Sequence, residues 1–166
     1  MTFSIGEGFA GAGVNAAHVN TVLGDKNGPV GVAWTTALAT PRAGHAAFVV
    51  VAAPNVPVKP MTLFVNKATI ESANERHGRL TWGAAQAGVA AGVTQAHRKG
   101  VLHADDADDL LLVAAVWVNP DAQDEEAVYT NNAEATLAAL TAGRDDLPSM
   151  RTVFDAGEPR NPYFRA

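Results

Sequence analysis

Apolar and polar positions form short alternating stretches and short apolar runs, which predict strands separated by helices. Residues 18–23 alternate, as a half-buried strand does. The continuous apolar runs at 46–52 and 110–118 are typical of strands buried on both faces. The stretch 6–13 holds four glycines and predicts a loop. The predicted strands are therefore 2–5, 18–23, 46–52, 61–70 and 110–118.

Helical spacing of small and apolar residues occurs between these strands, and the predicted helices are 29–40, 82–99 and 122–142. Gly88 and Gly92 indicate close backbone approach to another element. The mixed order predicts one α+β domain over residues 1–166, a sandwich of helices on a mixed sheet. Three prolines in 148–166 predict a C-terminal arm or tail.

Composition narrows the class of protein. The chain has 166 residues and is 48% hydrophobic, which suits one domain with a real core. Its net charge of −5 argues against a general nucleic-acid surface. It has no cysteine, so disulfides, thiolate metal sites and cysteine nucleophiles are excluded. No signal-peptide pattern and no membrane-length apolar run occur, so we expect a cytoplasmic protein with no membrane partner.

The sequence contains partial matches to known motifs, but each lacks residues or elements that the motif requires. Residues 6–11 match G-x-G-x-x-G, but the next predicted strand leaves no room for the helix that a dinucleotide site needs. The aspartates at 105–109 lack the central glycine and distal glutamate of an EF-hand, and we expect a capped helical turn there. The five histidines show no metal-ligand spacing, so no metal is predicted.

A lysine inside the predicted strand 61–70 is the remaining feature of interest. Strand alternation puts Lys67 and Thr69 on one face, where an ammonium and a hydroxyl suit a polar small molecule. A lone lysine in a strand is also common at a solvated edge. The lone histidine His18 is likewise more often structural than catalytic. The residues alone leave a small-molecule cleft and a solvated edge both open.

Several segments, in one order from about Gly6 to Leu140, resemble a known family. They are G-E at 6–7 with G-x-G at 11–13 leading to A-H at 17–18, A-P-N-V-P-V-K-P at 53–60, N-K-A-T-I at 66–70, G-A-A-Q-A-G-V-A at 83–90, A-D-x-A-D-D-L at 104–110 and N-x-E-A-T at 132–136. This set resembles the signature of the formaldehyde-activating enzyme family. Members condense formaldehyde with tetrahydromethanopterin, giving methylene-tetrahydromethanopterin and water.

The resemblance implies a ribosomal protein S5 domain 2-like α+β fold and a homopentamer with the pterin cleft between neighbouring subunits. It implies a lyase of one-carbon metabolism that needs formaldehyde and a reduced pterin as co-substrate, but no metal. His18 falls on the family's catalytic histidine, a general acid for loss of water. The substrate-binding positions that the resemblance implies are Asn20, Val49, Lys67, Thr69 and Gln86.

Three departures from the family pattern bear on the ligand. The usual aspartate two residues after the histidine is Asn20, which keeps hydrogen bonding but loses a charge. The usual leucine is Val49, and the histidine after the glutamine is Ala87. The alternative function is therefore a divergent family member that binds a pterin-like ligand as a carrier or sensor without catalysis.

Overall fold

The computed structural model describes residues 3–42, 45–67 and 74–160, with the backbone alone at His45 and Lys67. The strands are β1 Phe3–Ala10, β2 Ala17–Asp25, β3 His45–Val49, β4 Val51–Ala53, β5 Val56–Pro57, β6 Met61–Lys67 and β7 Leu110–Trp117. The helices are α1 Pro29–Ala39, α2 Glu75–Arg79, α3 Gln86–Arg98, α4 Glu125–Arg144 and α5 Met150–Asp155. A π-helical segment, Leu80–Ala85, joins α2 to α3.

A mixed sheet of five strands forms the centre, in the order β1-β2-β7-β6-β3. Neighbouring strands are antiparallel except β6 and β7, which run parallel. β4 and β5 form a separate two-stranded sheet. β7 occupies the middle because its apolar residues can be buried on both sides, as the continuous run at 110–118 predicts.

Helices α3 and α4 pack together on one face of the sheet, and α4 lies against β1 and β2. A Cβ atom at Gly8 would overlap the carbonyl oxygen of Ala135 in α4. The same holds for Gly88 of α3 against the carbonyl of Tyr129, which confirms the close approach expected there. Glycine is thus needed where α4 meets its two neighbours.

The main core lies between the sheet and these two helices. Its fully buried side chains include Val19, Phe64, Val89, Val93 and Leu112. Phe48 and Trp82 close one end of the core, with ring centroids 4.5 Å apart in an edge-to-face arrangement. On the other face, α1 covers part of β2 and β7 through Val30 and Trp34, which are buried.

The predicted α+β class is confirmed, and so are the strands near 18–23 and 110–118 and the helix near 29–40. The predicted loop at 6–13 is wrong, because β1 continues to Ala10 and its glycines face α4. The predicted strand 46–52 is interrupted at Val50, whose N–H donates to Thr62 and whose carbonyl accepts from Val58. The predicted strand 61–70 is described as far as Lys67.

The remaining helical predictions differ in their bounds. The helix expected at 82–99 starts earlier, since α2 and the π-helical segment precede α3. The one expected at 122–142 is α4. The acidic segment forms a 3-10 turn, Ala104–Asp106. Within the predicted arm, α5 is exposed along its whole length, with Phe154 at 76%.

Candidate functional site

Part of the sheet face opposite α3 and α4 carries polar and aromatic side chains. Alternation in β2 buries Val19 completely and leaves its neighbours His18 and Asn20 exposed. In β1 the same alternation exposes Glu7 and Phe9. We call the surface formed by the following five side chains the open face: Glu7, Phe9, His18, Asn20 and Trp117.

His18 lies between residues of its two neighbouring strands. Its Nε2 lies 3.0 Å from the Oε1 of Glu7 on β1. The Phe9 ring meets the imidazole edge-on, with centroids 6.4 Å apart. On the other side His18 pairs in register with Trp117 of β7. The His18 side chain remains 45% exposed, so a ligand can reach the imidazole while a carboxylate and an aromatic ring restrain it.

The loop before His18 is tied to the start of α4. The side-chain oxygen of Asn15 accepts the N–H groups of Gln123 and Asp124, at 3.0 and 3.3 Å. The amide of Asn131 donates to the Asn15 carbonyl at 2.8 Å. These bonds satisfy backbone donors near a helix start and hold the strand entry in place. His18 therefore projects from a fixed strand rather than from a free loop.

Asn20 lies on the same face, two residues beyond His18. It pairs in register with Glu7 on β1 and with Ala115 on β7. Its amide can donate and accept hydrogen bonds but carries no charge. Glu7 thus stands next to both residues, as the cross-strand partner of Asn20 and the ion-pair partner of His18.

Lys67 lies in the same register row of the sheet as His18. Val116 pairs with Val19 on one side and with Asn66 on the other. One residue along, His18 pairs with Trp117, and Lys67 follows Asn66 in β6. The backbones of His18 and Lys67 are therefore two strand spacings apart, roughly 10 Å. Thr69 lies outside the described residues.

A concave surface of about 430 Å³ lies between α1 and the strands β3 and β6. Val65 contributes to its wall and pairs with Ala115, which also pairs with Asn20. Val49 is half-buried at the end of β3 and pairs with Leu63. The rest of the lining is small or polar: Ala33, Thr36, Ala37, Thr40, Arg42, Ala46 and Ala47.

Gln86 is not brought to the open face within one chain. It is 7% exposed and begins α3, directly after the π-helical segment. The following residues of α3, Val89 and Val93, pack into the core on the face that buries Val19. The sheet therefore lies between Gln86 and His18, while Ala87 beside Gln86 is exposed.

Two charge pairs outside the open face fasten the acidic segment. Lys59 binds Asp108 at 2.6 Å, and Lys26 binds Asp109 at the same distance. The Lys59 ammonium lowers the pKa of Asp108 below its ordinary value by hydrogen bonding and by its charge. The Nε2–H of His97 also donates to the Lys59 carbonyl at 2.8 Å. These contacts are structural and hold the turn before β7.

Across residues 3–42, 45–67 and 74–160, no three histidine, aspartate or glutamate side chains are grouped as metal ligands. In the same part of the chain, none of the helices has the length and apolarity to cross a bilayer.

Glu7, Phe9 and Trp117 are the open-face residues that sequence reasoning missed. For Glu7 and Phe9 the available signal was their alternation with small residues, but the glycines among these led to the prediction of a loop. Trp117 was placed in a strand but not assigned to a face. Pairing of β1 with β2 as a hairpin would have put Phe9 opposite His18.

Fold and site together define an α+β protein with an exposed histidine beside a carboxylate on one sheet face. The sequence model of the family described as formaldehyde-activating enzyme (Fae) matches residues 5–163. The chain belongs to this family.

Relatives with assigned names agree with that membership. A 5,6,7,8-tetrahydromethanopterin hydro-lyase of Methanosarcina barkeri is 36% identical over 96% of this chain and 89% of its own length. Proteins named bifunctional enzyme Fae/Hps from Methanosarcina barkeri and Methanosarcina mazei are 38% and 37% identical. In both cases the match covers 92% of this chain, which spans 38% of the relative's length.

Proposed function

We propose that this protein is a lyase of the hydro-lyase type that condenses formaldehyde with tetrahydromethanopterin or a related reduced pterin. The products are the methylene derivative and water. The observation that carries this proposal is the exposed His18, held by Glu7 on the open face of a chain that matches its family over residues 5–163. The Methanosarcina barkeri relative named 5,6,7,8-tetrahydromethanopterin hydro-lyase supports the assignment of reaction type and pterin.

In the proposed mechanism His18 acts as a general acid. A pterin nitrogen adds to formaldehyde and forms a carbinolamine, whose hydroxyl leaves poorly until it is protonated. An imidazolium supplies that proton near neutral pH, and such help is typically worth about 10²–10⁴-fold in rate. Water then departs, an iminium remains, and the second pterin nitrogen closes the ring.

We assign binding of the pterin to Asn20, Val49, Lys67, Thr69 and Gln86. Asn20 lies beside His18, which supports this assignment. Val49 and Lys67 lie in β3 and β6, the two strands that border the concave surface next to α1. Gln86 is on the other side of the sheet in the same chain, which favours a site shared by two subunits.

We further propose a homopentamer with the pterin cleft between neighbouring subunits. Edge strand β1 exposes apolar side chains, with Phe3 at 50% and Ile5 at 62%, and such patches mark interaction surfaces. Light scattering of the purified chain should give five times the mass of one chain. A monomer at micromolar concentration contradicts the shared site. We expect the assembly to be cytoplasmic and to bind neither nucleic acid nor membrane.

The direct test is the initial rate of condensation with formaldehyde and tetrahydromethanopterin, and separately with tetrahydrofolate, corrected for the spontaneous reaction. We expect acceleration with at least one carrier. If the rate with each carrier equals that of the spontaneous reaction, the proposal is contradicted.

A second candidate function is binding of a pterin-like ligand without turnover, as a carrier or sensor. The neutral Asn20 beside His18 and the exposed, small Ala87 beside Gln86 favour it. A ligand that binds the folded state raises the melting temperature by mass action. Thermal shift with a reduced pterin but no acceleration of the condensation would support this candidate over the enzyme.

A further inference from the structure

Glu7 has a defined relationship to the imidazole of His18. It reaches the ring from β1, with Oε1 3.0 Å from Nε2. From β7 the residue in register with His18 is Trp117, which does not ionise. On β2 itself the next residue of this face is Asn20, which is neutral. Among the described neighbours in register with His18 or beside it on this face, the negative charge therefore comes from Glu7.

The contact is made by one particular nitrogen of the ring. Oε1 of Glu7 lies 3.0 Å from Nε2, and because a carboxylate only accepts, it attracts an Nε2 that carries a hydrogen. In the imidazolium, the second hydrogen is on Nδ1. The nitrogen that a carboxylate holds is oriented by it, and the opposite nitrogen is left to exchange a proton with a ligand.

We propose that Glu7 is a positioning residue for the reaction, holding His18 through Nε2 so that Nδ1 delivers the proton to the leaving hydroxyl. This inference rests on the proposed function.

The proton and electron pairs balance in this scheme. Nδ1–H gives its proton to the carbinolamine oxygen, the C–O bond breaks with its electron pair on oxygen, and water leaves. The pterin nitrogen's lone pair forms the C=N bond of the iminium. When the second pterin nitrogen adds to that carbon it releases a proton, which restores the imidazolium at Nδ1. Glu7 stays a carboxylate throughout.

Two variants of Glu7 separate its charge from its capacity to accept a hydrogen bond. Glu7→Gln keeps an acceptor oxygen but removes the charge, and Glu7→Ala removes both. Glu75→Gln is the matched control, because it breaks another exposed carboxylate ion pair, 3.3 Å from Arg79 on α2, with the same change in net charge. Melting curves of all three check that they fold.

The first measurement compares kcat with KM. In Glu7→Gln, kcat should fall about two- to fivefold with little change in KM, the size expected for an exposed ion pair. In Glu7→Ala, kcat should fall at least as much, again with little change in KM. Wild-type kcat in both variants, or a loss that appears in KM alone, overturns the proposal.

The second measurement needs no turnover. In the ¹⁵N spectrum of the imidazole groups, with His18→Gln used to assign the signal, both Glu7 variants should move the His18 Nε2 resonance more than Nδ1. Glu75→Gln should move neither. An unchanged Nε2 signal, or a larger change at Nδ1, overturns the proposal. If wild type fails to accelerate condensation while Nε2 responds, the proposed function is wrong although Glu7 still holds the ring.

Discussion

Gly8 of β1 lies directly against the carbonyl oxygen of Ala135 in α4, with no space for a Cβ atom between them. Gly6, one pleat repeat earlier, has the same relationship to Ala139. The glycines of the G-x-G-x-x-G match therefore serve helix-on-strand packing. The residues between and after them, Glu7 and Phe9, point to the open face beside His18.

Gly8→Ala should destabilise the fold, because the added methyl forces β1 and α4 apart. Overpacking of this kind is typically worth about 1–3 kcal/mol in the free energy of unfolding. Urea unfolding followed by circular dichroism measures it. Gly83→Ala is the control, since a Cβ there meets no atom within 4 Å, and it should be neutral or stabilising. Equal stabilities of the two variants contradict the packing account.

The Lys59–Asp108 pair predicts a pH-dependent contribution to stability. The pKa of Asp108 is lowered in the folded state, chiefly by hydrogen bonding to Lys59, so the unfolded state binds the proton more readily. The contribution is present above the ordinary aspartate pKa and is lost as pH falls through the lower, folded-state pKa.

Asp108→Asn should therefore lower the melting temperature slightly at pH 7, and the difference from wild type should shrink as the pH is lowered toward 3. Asp106→Asn removes an exposed carboxylate of the same segment but leaves the Lys59–Asp108 pair intact, and should show no such trend. A difference for Asp108→Asn that is constant with pH contradicts the assignment.

Asn20→Asp places a second carboxylate directly opposite Glu7 on the neighbouring strand. Like charges in such cross-strand pairs destabilise, and we expect about 0.2–1 kcal/mol near neutral pH, measured by urea unfolding. The penalty should vanish in the Glu7→Gln background, which removes the repulsion. A penalty of the same size in both backgrounds shows that the effect does not come from Glu7.

The apolar pattern predicted the α+β class and the central strand β7, because continuous burial on both faces leaves a clear signal. The same pattern gave a wrong prediction at β1, because its glycines are typical of a loop. These glycines are needed where β1 packs against α4, and a local sequence pattern does not contain such a tertiary contact. The site residues came from family resemblance, since one histidine and one lysine carry no motif. The contact between Glu7 and His18 requires β1 to pair with β2. Because residues 6–13 were predicted as a loop, the sequence did not predict this pairing.

The central claim is that His18 provides the acid for condensation, and the initial rates of three proteins test it most directly. Wild type, His18→Gln and His103→Gln are compared with formaldehyde and tetrahydromethanopterin, after subtraction of the spontaneous rate. His103 is an exposed histidine before the 3-10 turn and serves as the control.

We expect His18→Gln to lose about 10²–10⁴-fold of the catalysed rate, the usual contribution of a general acid, with an unchanged melting temperature because the side chain is exposed. His103→Gln should match wild type. A catalysed rate in His18→Gln equal to that of wild type would contradict the account.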